Sequence, residues 1–342
     1  MGAIEAGCRY YFGYPITPQN EIPEFMAREM PGVGGTFIQA ESEIAAINMV
    51  LGAGGAGARA LTSSSGPGIS LKAEGMSYMA GSEIPAVIVN MVRSGPGLGG
   101  IDASQADYFQ AVKGAGHGGY HLIVLAPDSV QELYDLTMVA FDLADRYRIP
   151  AMILGDAMIG QMKEALVPHP YCSPGNLPAK DWAVTGKNGR EKGNTIKSLL
   201  LKDGELEAHN WHLHAKYDLL KQNEVRCESA GLEDARLIVT AFGCAARIAK
   251  SAIAMAREAG MKVGMLRPVT VFPFPEEIFR KATARTGRVL CIELNNGQMV
   301  EDVRLSADRN ADVRFYGRPG GTGSLPTPEE LFEQICKHYK HP

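Results

Sequence analysis

Short apolar runs alternate with amphipathic segments along the first half of the chain. The apolar runs are short enough to be strands and lie at residues 8–14, 36–40, 58–62, 85–92, 121–126 and 149–155. Between them, apolar positions recur at helical spacing over residues 19–30, 42–53, 69–80, 103–114 and 129–147. The alternation predicts an α/β fold, in which right-handed crossovers join the strands of a doubly wound parallel sheet that carries helices on both faces.

The unusual segments of this half all follow predicted strands. They are residues 14–18 (Tyr-Pro-Ile-Thr-Pro), 39–43, 62–68 and the glycine-rich 93–100. In open α/β sheets, ligands bind beyond the carboxyl ends of the strands. We therefore expect a binding site at this edge of the sheet.

The alternation of strands and helices stops at residues 163–234, which are rich in proline and contain one predicted helix, at 205–223. It returns with strands at 236–241, 262–266, 289–293 and 313–316, helices at 244–259, 275–286 and 298–307, and a last helix that starts near residue 327. The pattern predicts three regions: a first α/β domain at 1–165, a connector with one helix at 166–234, and a smaller α/β domain at 235–342.

Composition narrows the class of protein. The 342 residues are 45% apolar and 21% charged, as in globular proteins with room for two cores. A net charge of −4 offers no basic field, so nucleic acid is not an expected partner. The sequence has neither a run of 18 apolar residues nor the charged and apolar regions of a signal peptide, so we expect no membrane span and a cytoplasmic location.

Cysteine and histidine spacing gives no sign of a metal site in this chain. The six cysteines include no Cys-x-x-Cys pair, which argues against a local iron–sulfur or zinc motif and favours reduced thiols. His209, His212 and His214 fall at spacings that do not place three ligands on one helical face. We therefore predict no metal ligands here and interpret these histidines as solvated.

Residues 95–100 (Gly-Pro-Gly-Leu-Gly-Gly) satisfy the glycine spacing of a dinucleotide-binding loop. That fingerprint requires a tight turn that opens directly into a helix, whereas this segment follows a late strand, contains proline and meets no predicted helix before residue 103. A lid or substrate loop is the favoured interpretation.

Three residues at the predicted edge carry candidate chemistry, and each has a plainer alternative. Glu43 starts an apolar helix and could serve only as a cap, a role for which Glu41 competes. Arg93 ends an apolar strand and could be solvated or structurally paired. Thr17 lies between Ile16 and Pro18, which restricts its backbone but proves no function.

Together, several motifs resemble the alpha subunits of the 2-oxoacid:ferredoxin oxidoreductases. The motifs are Gly13-Tyr-Pro-Ile-Thr-Pro18, Ser42-Glu-Ile-Ala-Ala46, Thr62-Ser-Ser-Ser-Gly-Pro-Gly68 and Glu293-Leu-Asn-Asn-Gly-Gln-Met299. The variant Thr17-Pro-Gln-Asn-Glu-Ile-Pro23 is most similar to the branched-chain (2-oxoisovalerate) members. The resemblance implies a thiamin-diphosphate-binding fold, with a pyrimidine-binding module in residues 1–165 and a transketolase C-terminal-like domain in 235–342.

The resemblance also implies roles for individual residues. Glu43 would bond to the ring nitrogen of the cofactor's aminopyrimidine and so promote the tautomer that activates the thiazolium. Thr17 would lie near the oxo acid, and Arg93 would bind its carboxylate, a task suited to a guanidinium. The pocket for the cofactor would be lined by Tyr14, Pro15, Ile16, Ser64, Ser65 and Gly66.

The implied reaction is the oxidative decarboxylation of a 2-oxo acid, with the acyl group passed to coenzyme A and electrons to ferredoxin. The sequence has no Gly-Asp-Gly segment of the kind that holds diphosphate and Mg²⁺ in this cofactor class, and no cluster cysteines. The resemblance therefore implies a beta subunit that holds the diphosphate and Mg²⁺, partner iron–sulfur and gamma-type subunits, and a dimer of hetero-oligomers. Relatives have a longer lead-in, so part of the first βα unit is expected to be missing.

Three alternatives remain open at this point. The oxo acid could be 2-oxoglutarate or pyruvate. The chain could be a non-catalytic scaffold subunit, or, more remotely, an NAD(P)-dependent dehydrogenase.

Overall fold

The structure is a computed structural model that describes residues 1–321, 323 and 325–340. Its strands are β1 (Tyr10–Gly13), β2 (Thr36–Gln39), β3 (Ala60–Ser64), β4 (Val87–Val92), β5 (Ile123–Leu125), β6 (Ala151–Asp156), β7 (Cys227–Ala230), β8 (Leu237–Thr240), β9 (Val263–Pro268), β10 (Thr270–Phe272), β11 (Arg288–Glu293) and β12 (Asp312–Gly317).

The helices surround these strands, and one 3₁₀ turn lies at Pro31–Val33. They are α1 (Gly2–Glu5), α2 (Glu21–Glu29), α3 (Glu43–Gly55), α4 (Gly66–Gly81), α5 (Tyr108–Val112), α6 (Val130–Tyr147), α7 (Ala157–Gln161), α8 (Glu205–Asn223), α9 (Gly243–Glu258), α10 (Glu276–Thr286), α11 (Met299–Ser306) and α12 (Pro328–Lys340). Among the described residues, no helix is both long and apolar enough to cross a membrane.

The strands form two sheets. The first has the order β10-β5-β6-β4-β3-β1-β2 and is parallel except for β10, which pairs antiparallel with β5. Strands β3, β4 and β6 are buried along their whole length, which explains why β4 and β6 are mostly apolar and do not alternate with polar residues. The second sheet has the order β12-β11-β8-β9-β7, and only β7 is antiparallel.

Strands β7 and β10, the short helix α7 and the extent of helix α5 differ from the expectation. Strand β7 lies inside the predicted connector, and its half-exposed Cys-Glu-Ser-Ala sequence has no apolar run to mark it. Strand β10 belongs by sequence to the second half but completes the first sheet, a pairing that only tertiary contact with β5 creates. Helix α5 covers only part of predicted 103–114, because Ala103 instead makes a bridge to Arg93.

Polar groups at the junction tie the two halves together. The buried Gln105 side chain donates to the Phe242 carbonyl at 2.7 Å and accepts from the Leu294 amide at 3.0 Å. The Glu293 carboxylate accepts from the amides of Met299 and Val300 at the start of α11, at 2.8 and 2.9 Å. The motif at 293–299 therefore has two structural tasks. Leu294 bonds to Gln105 across the junction, and the Glu293 carboxylate accepts from the first amides of α11.

Candidate active site

The residues singled out by sequence converge at one edge of the first sheet. Strands β4, β3 and β1 are neighbours, and Ser64 at the end of β3 pairs in register with Asn90 of β4. The segments that follow these strands carry Thr17, Ser65, Gly66 and Arg93, while Glu43 opens the helix that follows β2. The predicted edge is thus the place where this fold assembles polar groups.

Glu43 is the buried acid of this edge. Only 5% of the surface of Glu43 is exposed, and its Oε1 accepts a hydrogen bond from the Ser64 hydroxyl at 3.2 Å. Ser42 is the N-cap of α3, because its hydroxyl accepts from the Ala45 amide, and Glu41 is exposed. The cap is therefore made without the Glu43 carboxylate, which points to a different use for this acid.

Lys72 lies beside Glu43 and was missed by the sequence analysis. It is completely buried on α4, and its Nζ has no hydrogen-bond partner among the described residues. Burial lowers the pKa of Lys72 to about 8, and the charge of Glu43 opposes that shift. A signal existed in the sequence, since Lys72 shares one helical face with Gly68 and Gly75.

Arg93 joins two loops of the edge. Its Nη1 donates to the Thr17 carbonyl at 2.9 Å and its Nη2 to the Leu98 carbonyl at 3.2 Å, while the buried Nε has no hydrogen-bond partner among the described residues. The aliphatic part of Arg93 packs beside Gly66, which adopts a φ of +39°. The structure thus brings Thr17, Gly66 and Arg93 together and gives the guanidinium no carboxylate partner among the described residues.

The loop at residues 14–18 is anchored from below by Gln19, a second residue that the sequence analysis missed. Gln19 is buried and donates to the Tyr14 carbonyl at 3.2 Å, and its Oε1 accepts from the Ser63 hydroxyl. Tyr11 and Ser63 are hydrogen bonded at 2.7 Å and extend this network into the sheet. Tyr14 and Pro15 are exposed, Ile16 and Thr17 are half-buried, and the Thr17–Pro18 peptide is cis.

Buried polar atoms without partners are concentrated at this edge. Within the described part of the chain they include Thr62 Oγ1, Ser65 Oγ, Lys72 Nζ, Asn90 Oδ1 and Arg93 Nε. Such groups are usually satisfied by a ligand, water or a partner protein, because leaving them unpaired costs free energy. The edge therefore has unsatisfied donors and acceptors that a polar ligand could meet.

Asn90 and Asp107 form a further pair behind Arg93. Asn90 donates to Asp107 Oδ2 at 3.2 Å, and burial raises the pKa of Asp107 while Asn90 and Arg93 oppose the shift. Asn90 interrupts an otherwise apolar strand, and this single polar position was the signal that sequence reasoning passed over.

The histidines lie away from this edge, whereas the glycine-rich loop belongs to it. His209 bonds to the Gly81 carbonyl at 2.7 Å, His212 to Glu83 at 3.0 Å, and His214 lies 3.4 Å from Asp218, so each histidine has its own protein partner. Residues 95–100 form a loop with exposed Leu98 that folds back over Arg93 and does not open into a helix.

Comparisons with known proteins place the chain in a family. Residues 1–225 match the family described as pyruvate flavodoxin/ferredoxin oxidoreductase, thiamine diphosphate-binding, and residues 235–331 match pyruvate:ferredoxin oxidoreductase core domain II. The chain belongs to the 2-oxoacid:ferredoxin oxidoreductase family, as an alpha-type subunit.

Individual relatives narrow the resemblance. The chain is 51% identical to ketoisovalerate oxidoreductase subunit VorB of Methanothermobacter marburgensis, over 94% of this chain and 90% of that protein. It is 40% identical to 2-oxoglutarate synthase subunit KorA of Archaeoglobus fulgidus, over 98% of this chain and 95% of that protein. Both relatives are named as subunits, one of a ketoisovalerate oxidoreductase and the other of a 2-oxoglutarate synthase.

Solved structures support the same assignment. The 2-oxoglutarate:ferredoxin oxidoreductase of Magnetococcus marinus, solved with 2-oxoglutarate, coenzyme A and succinyl-CoA, matches at a TM-score of 0.82 and 26% identity, over 99% of this chain and 63% of that longer chain. A split-gene transketolase shares the fold alone, with a TM-score of 0.55 at 10% identity. The predicted family and the thiamin-diphosphate-binding α/β fold class are therefore confirmed.

Proposed function

We propose that this alpha-type subunit acts in the oxidative decarboxylation of a branched-chain 2-oxo acid, 2-oxoisovalerate, to its acyl-CoA and CO₂, with electrons passed to ferredoxin. The observation that carries the choice of substrate is the 51% identity to a ketoisovalerate oxidoreductase subunit along nearly the full length of both chains. The gathering of Glu43, Thr17 and Arg93 at one sheet edge supports a direct part in the reaction.

Each residue has a proposed task that fits its surroundings. Glu43, held by the Ser64 hydroxyl, would hydrogen bond to the pyrimidine ring of the cofactor and hold or release a proton there. Arg93, which already bonds the Thr17 carbonyl, binds the substrate carboxylate through its remaining N–H groups. The wall around the ring is built from Tyr14, Pro15, Ile16, Ser64, Ser65 and Gly66.

Thiamin diphosphate, when bound, would supply a nucleophilic carbon and an electron sink for the decarboxylation of a 2-oxo acid. The residues of this chain fit the ring end of that cofactor, because Ser65 Oγ and Lys72 Nζ, at the same sheet edge as the acid, are buried polar atoms with no hydrogen-bond partner among the described residues. This chain would then hold and orient the pyrimidine, exclude water from it, and place substrate against it.

The other parts of the reaction are assigned to partner subunits. In this proposal a beta subunit holds the diphosphate and Mg²⁺, iron–sulfur and gamma-type subunits carry electrons to ferredoxin, coenzyme A is the co-substrate, and the complex is a cytoplasmic dimer of hetero-oligomers. The support is that relatives are named as subunits and that one solved relative holds coenzyme A.

The test is a substrate panel on the complex reconstituted with the partner subunits. Reduction of ferredoxin that depends on coenzyme A is measured with 2-oxoisovalerate, 2-oxoglutarate and pyruvate. We expect kcat/KM to be highest for 2-oxoisovalerate, by about tenfold or more, since a side-chain pocket discriminates by that order. The proposed reaction fails if the assembled complex oxidises no 2-oxo acid.

2-Oxoglutarate is the second candidate, and the 40% identity to a 2-oxoglutarate synthase subunit favours it over pyruvate. Its second carboxylate requires a cation that an isopropyl group does not. A kcat/KM for 2-oxoglutarate above that for 2-oxoisovalerate in the same panel would assign this substrate instead, while leaving the reaction class unchanged.

A further inference from the structure

A buried lysine occupies the interface between helices α3 and α4, beside the acid of the proposed site. Lys72 is 0% exposed, and its ammonium group has no hydrogen-bond partner among the described residues. Isolating a charge in this way is unfavourable unless an opposite charge lies near. The position of Lys72 on α4 shows which charge that is.

The face of α4 that carries Lys72 is the face that packs on α3. A Cβ built on Gly68 would meet the Ser64 hydroxyl and the Glu43 carboxylate, and it would lie 3.0 Å from Glu43 Cδ. A Cβ on Gly75 would lie 2.6 Å from Ile47 Cγ2. Glu43 and Ile47 are one turn apart on α3, so the two helices meet along a line of close contacts.

Lys72 lies between those two contacts. Residues 68, 72 and 75 are spaced i, i+4 and i+7, so all three lie on the face of α4 that meets α3. Helical side chains lean toward the N-terminus of their helix, which for Lys72 is the end that carries Gly68, and the charge of Glu43 acts on the Lys72 ammonium group. The two glycines let α3 approach α4 closely on either side of Lys72.

We propose that Lys72 is the countercharge of Glu43 and a positioning residue for its carboxylate. This proposal rests on the proposed function, because it assigns a second residue to the acid that would contact the cofactor. Ser64 restrains one oxygen of Glu43 by a hydrogen bond, and Lys72 supplies the positive charge. The acid is thereby held by Ser64 and charge-balanced by Lys72, whose Nζ makes no hydrogen bond to it, before the cofactor binds.

Energetic cost supports a functional role for this lysine. Burial lowers the pKa of Lys72 to about 8, so the charged form is disfavoured by the fold even with Glu43 nearby. A methionine would fill the same space without that cost. Groups whose pKa values are strongly shifted by burial cluster at functional sites.

The first test is a double-mutant cycle that needs neither cofactor nor substrate. Denaturant unfolding at pH 7 is measured for the full wild-type chain, Lys72→Met, Glu43→Gln and the double variant. We expect the unfolding constant of the double variant to be about tenfold lower than the two single changes predict by additivity, because each single change leaves one charge without its partner. Additivity within about twofold overturns the proposal.

Two variants keep this cycle interpretable. If Lys72→Met does not fold, Lys72→Gln is used, because it is neutral and retains a polar head. Lys281→Met is the matched control, since Lys281 is exposed on α10 and pairs with Glu277. It should show no coupling to Glu43→Gln.

The second test measures thiamin diphosphate binding to the reconstituted complex by calorimetry. We expect Lys72→Met to weaken binding about tenfold, Lys72→Arg to restore most of the affinity because it retains the charge, and Lys281→Met to bind as the wild type does. Wild-type affinity in Lys72→Met refutes the positioning role. A complex that oxidises no 2-oxo acid refutes the proposed function but leaves the unfolding cycle, and hence the pairing of Lys72 with Glu43, open to measurement.

Discussion

At the scale of single residues, the site is defined by charged groups that the fold buries and does not pair fully. Glu43 has one hydrogen bond, from Ser64, and Arg93 bonds only backbone carbonyls in the contacts described. Buried charged groups in other parts of the molecule have charged hydrogen-bond partners. Arg267, for example, donates to the carboxylates of Glu132 and Glu228. The contrast separates groups that stabilise the fold from groups with free capacity for a ligand.

Glu43→Gln is expected to reduce kcat of the reconstituted complex by about 10² to 10⁴, the range of general acid–base contributions. The amide keeps the size of the side chain but can neither carry the negative charge nor hand over a proton. Glu41→Gln is the matched control, because Glu41 is exposed two residues away. An unchanged rate in Glu43→Gln would leave the chain the role of a scaffold.

Lys72 gives a prediction about stability and pH. Its pKa is about 8 in the folded chain and near 10.5 when unfolded, so between these values the unfolded state binds more protons and the free energy of unfolding rises with pH. The gain is about 3 kcal/mol. Lys72→Met lacks it.

The comparison must be made between variant and wild type at each pH. Burial also raises the pKa of Cys8 and Cys227 to about 12, and these thiols lower the stability of both proteins as pH rises above 9. Their effect cancels in the difference. We expect the stability of Lys72→Met relative to the wild type to fall by about 3 kcal/mol from pH 7.5 to 10.5 in urea titrations. A constant difference would contradict the pKa assigned to Lys72.

At the scale of elements, the α3–α4 contact depends on glycines that periodicity alone does not interpret. Gly68 is helical, so its need for a hydrogen side chain arises from the approach of Glu43 and Ser64 and not from backbone angles. Gly52 on α3 is exposed, with no atom near a built Cβ. An added side chain would therefore clash at Gly68 but meet open space at Gly52.

Gly68→Ala is expected to lower the free energy of unfolding by about 1–3 kcal/mol, the cost of overpacking, and to displace Glu43 so that kcat falls. Gly52→Ala should raise it by about 0.5–1 kcal/mol, because alanine is favoured in an open helix position. Thermal unfolding and turnover are measured for both variants. A stabilised and fully active Gly68→Ala would show that this contact does not fix Glu43.

The sequence predicted most elements because their signals are local. The N-terminus of α3 has a serine cap, and β4 is a buried apolar run, so both were found within a few residues. Strand β10 was missed, because three residues carry no periodicity and their partner is distant in sequence. Lys72 and Gln19 were missed for a similar reason: burial of a polar side chain is decided by the neighbouring element.

At the scale of the whole molecule, the residues of the proposed site form one side of a binding site, and the opposite side is exposed. Tyr14 is 36% exposed, Ile44 48%, Ile101 61% and Leu98 83%, and all lie on segments around the edge that carries Glu43 and Arg93. Exposed apolar side chains grouped around polar ones are typical of a surface that another protein covers. This arrangement fits a site completed by a partner subunit.

We therefore expect the isolated chain to bind thiamin diphosphate weakly, with no sub-micromolar site in calorimetry, and to turn over no 2-oxo acid. Only the pyrimidine end has groups to meet here, so most of the binding free energy of the diphosphate must come from the partner. Adding the partner subunits should restore tight, Mg²⁺-dependent binding, and Glu43→Gln should weaken it. Sub-micromolar binding by this chain alone would mean that the diphosphate is held by residues of this chain, and the division of the site between subunits would then be wrong.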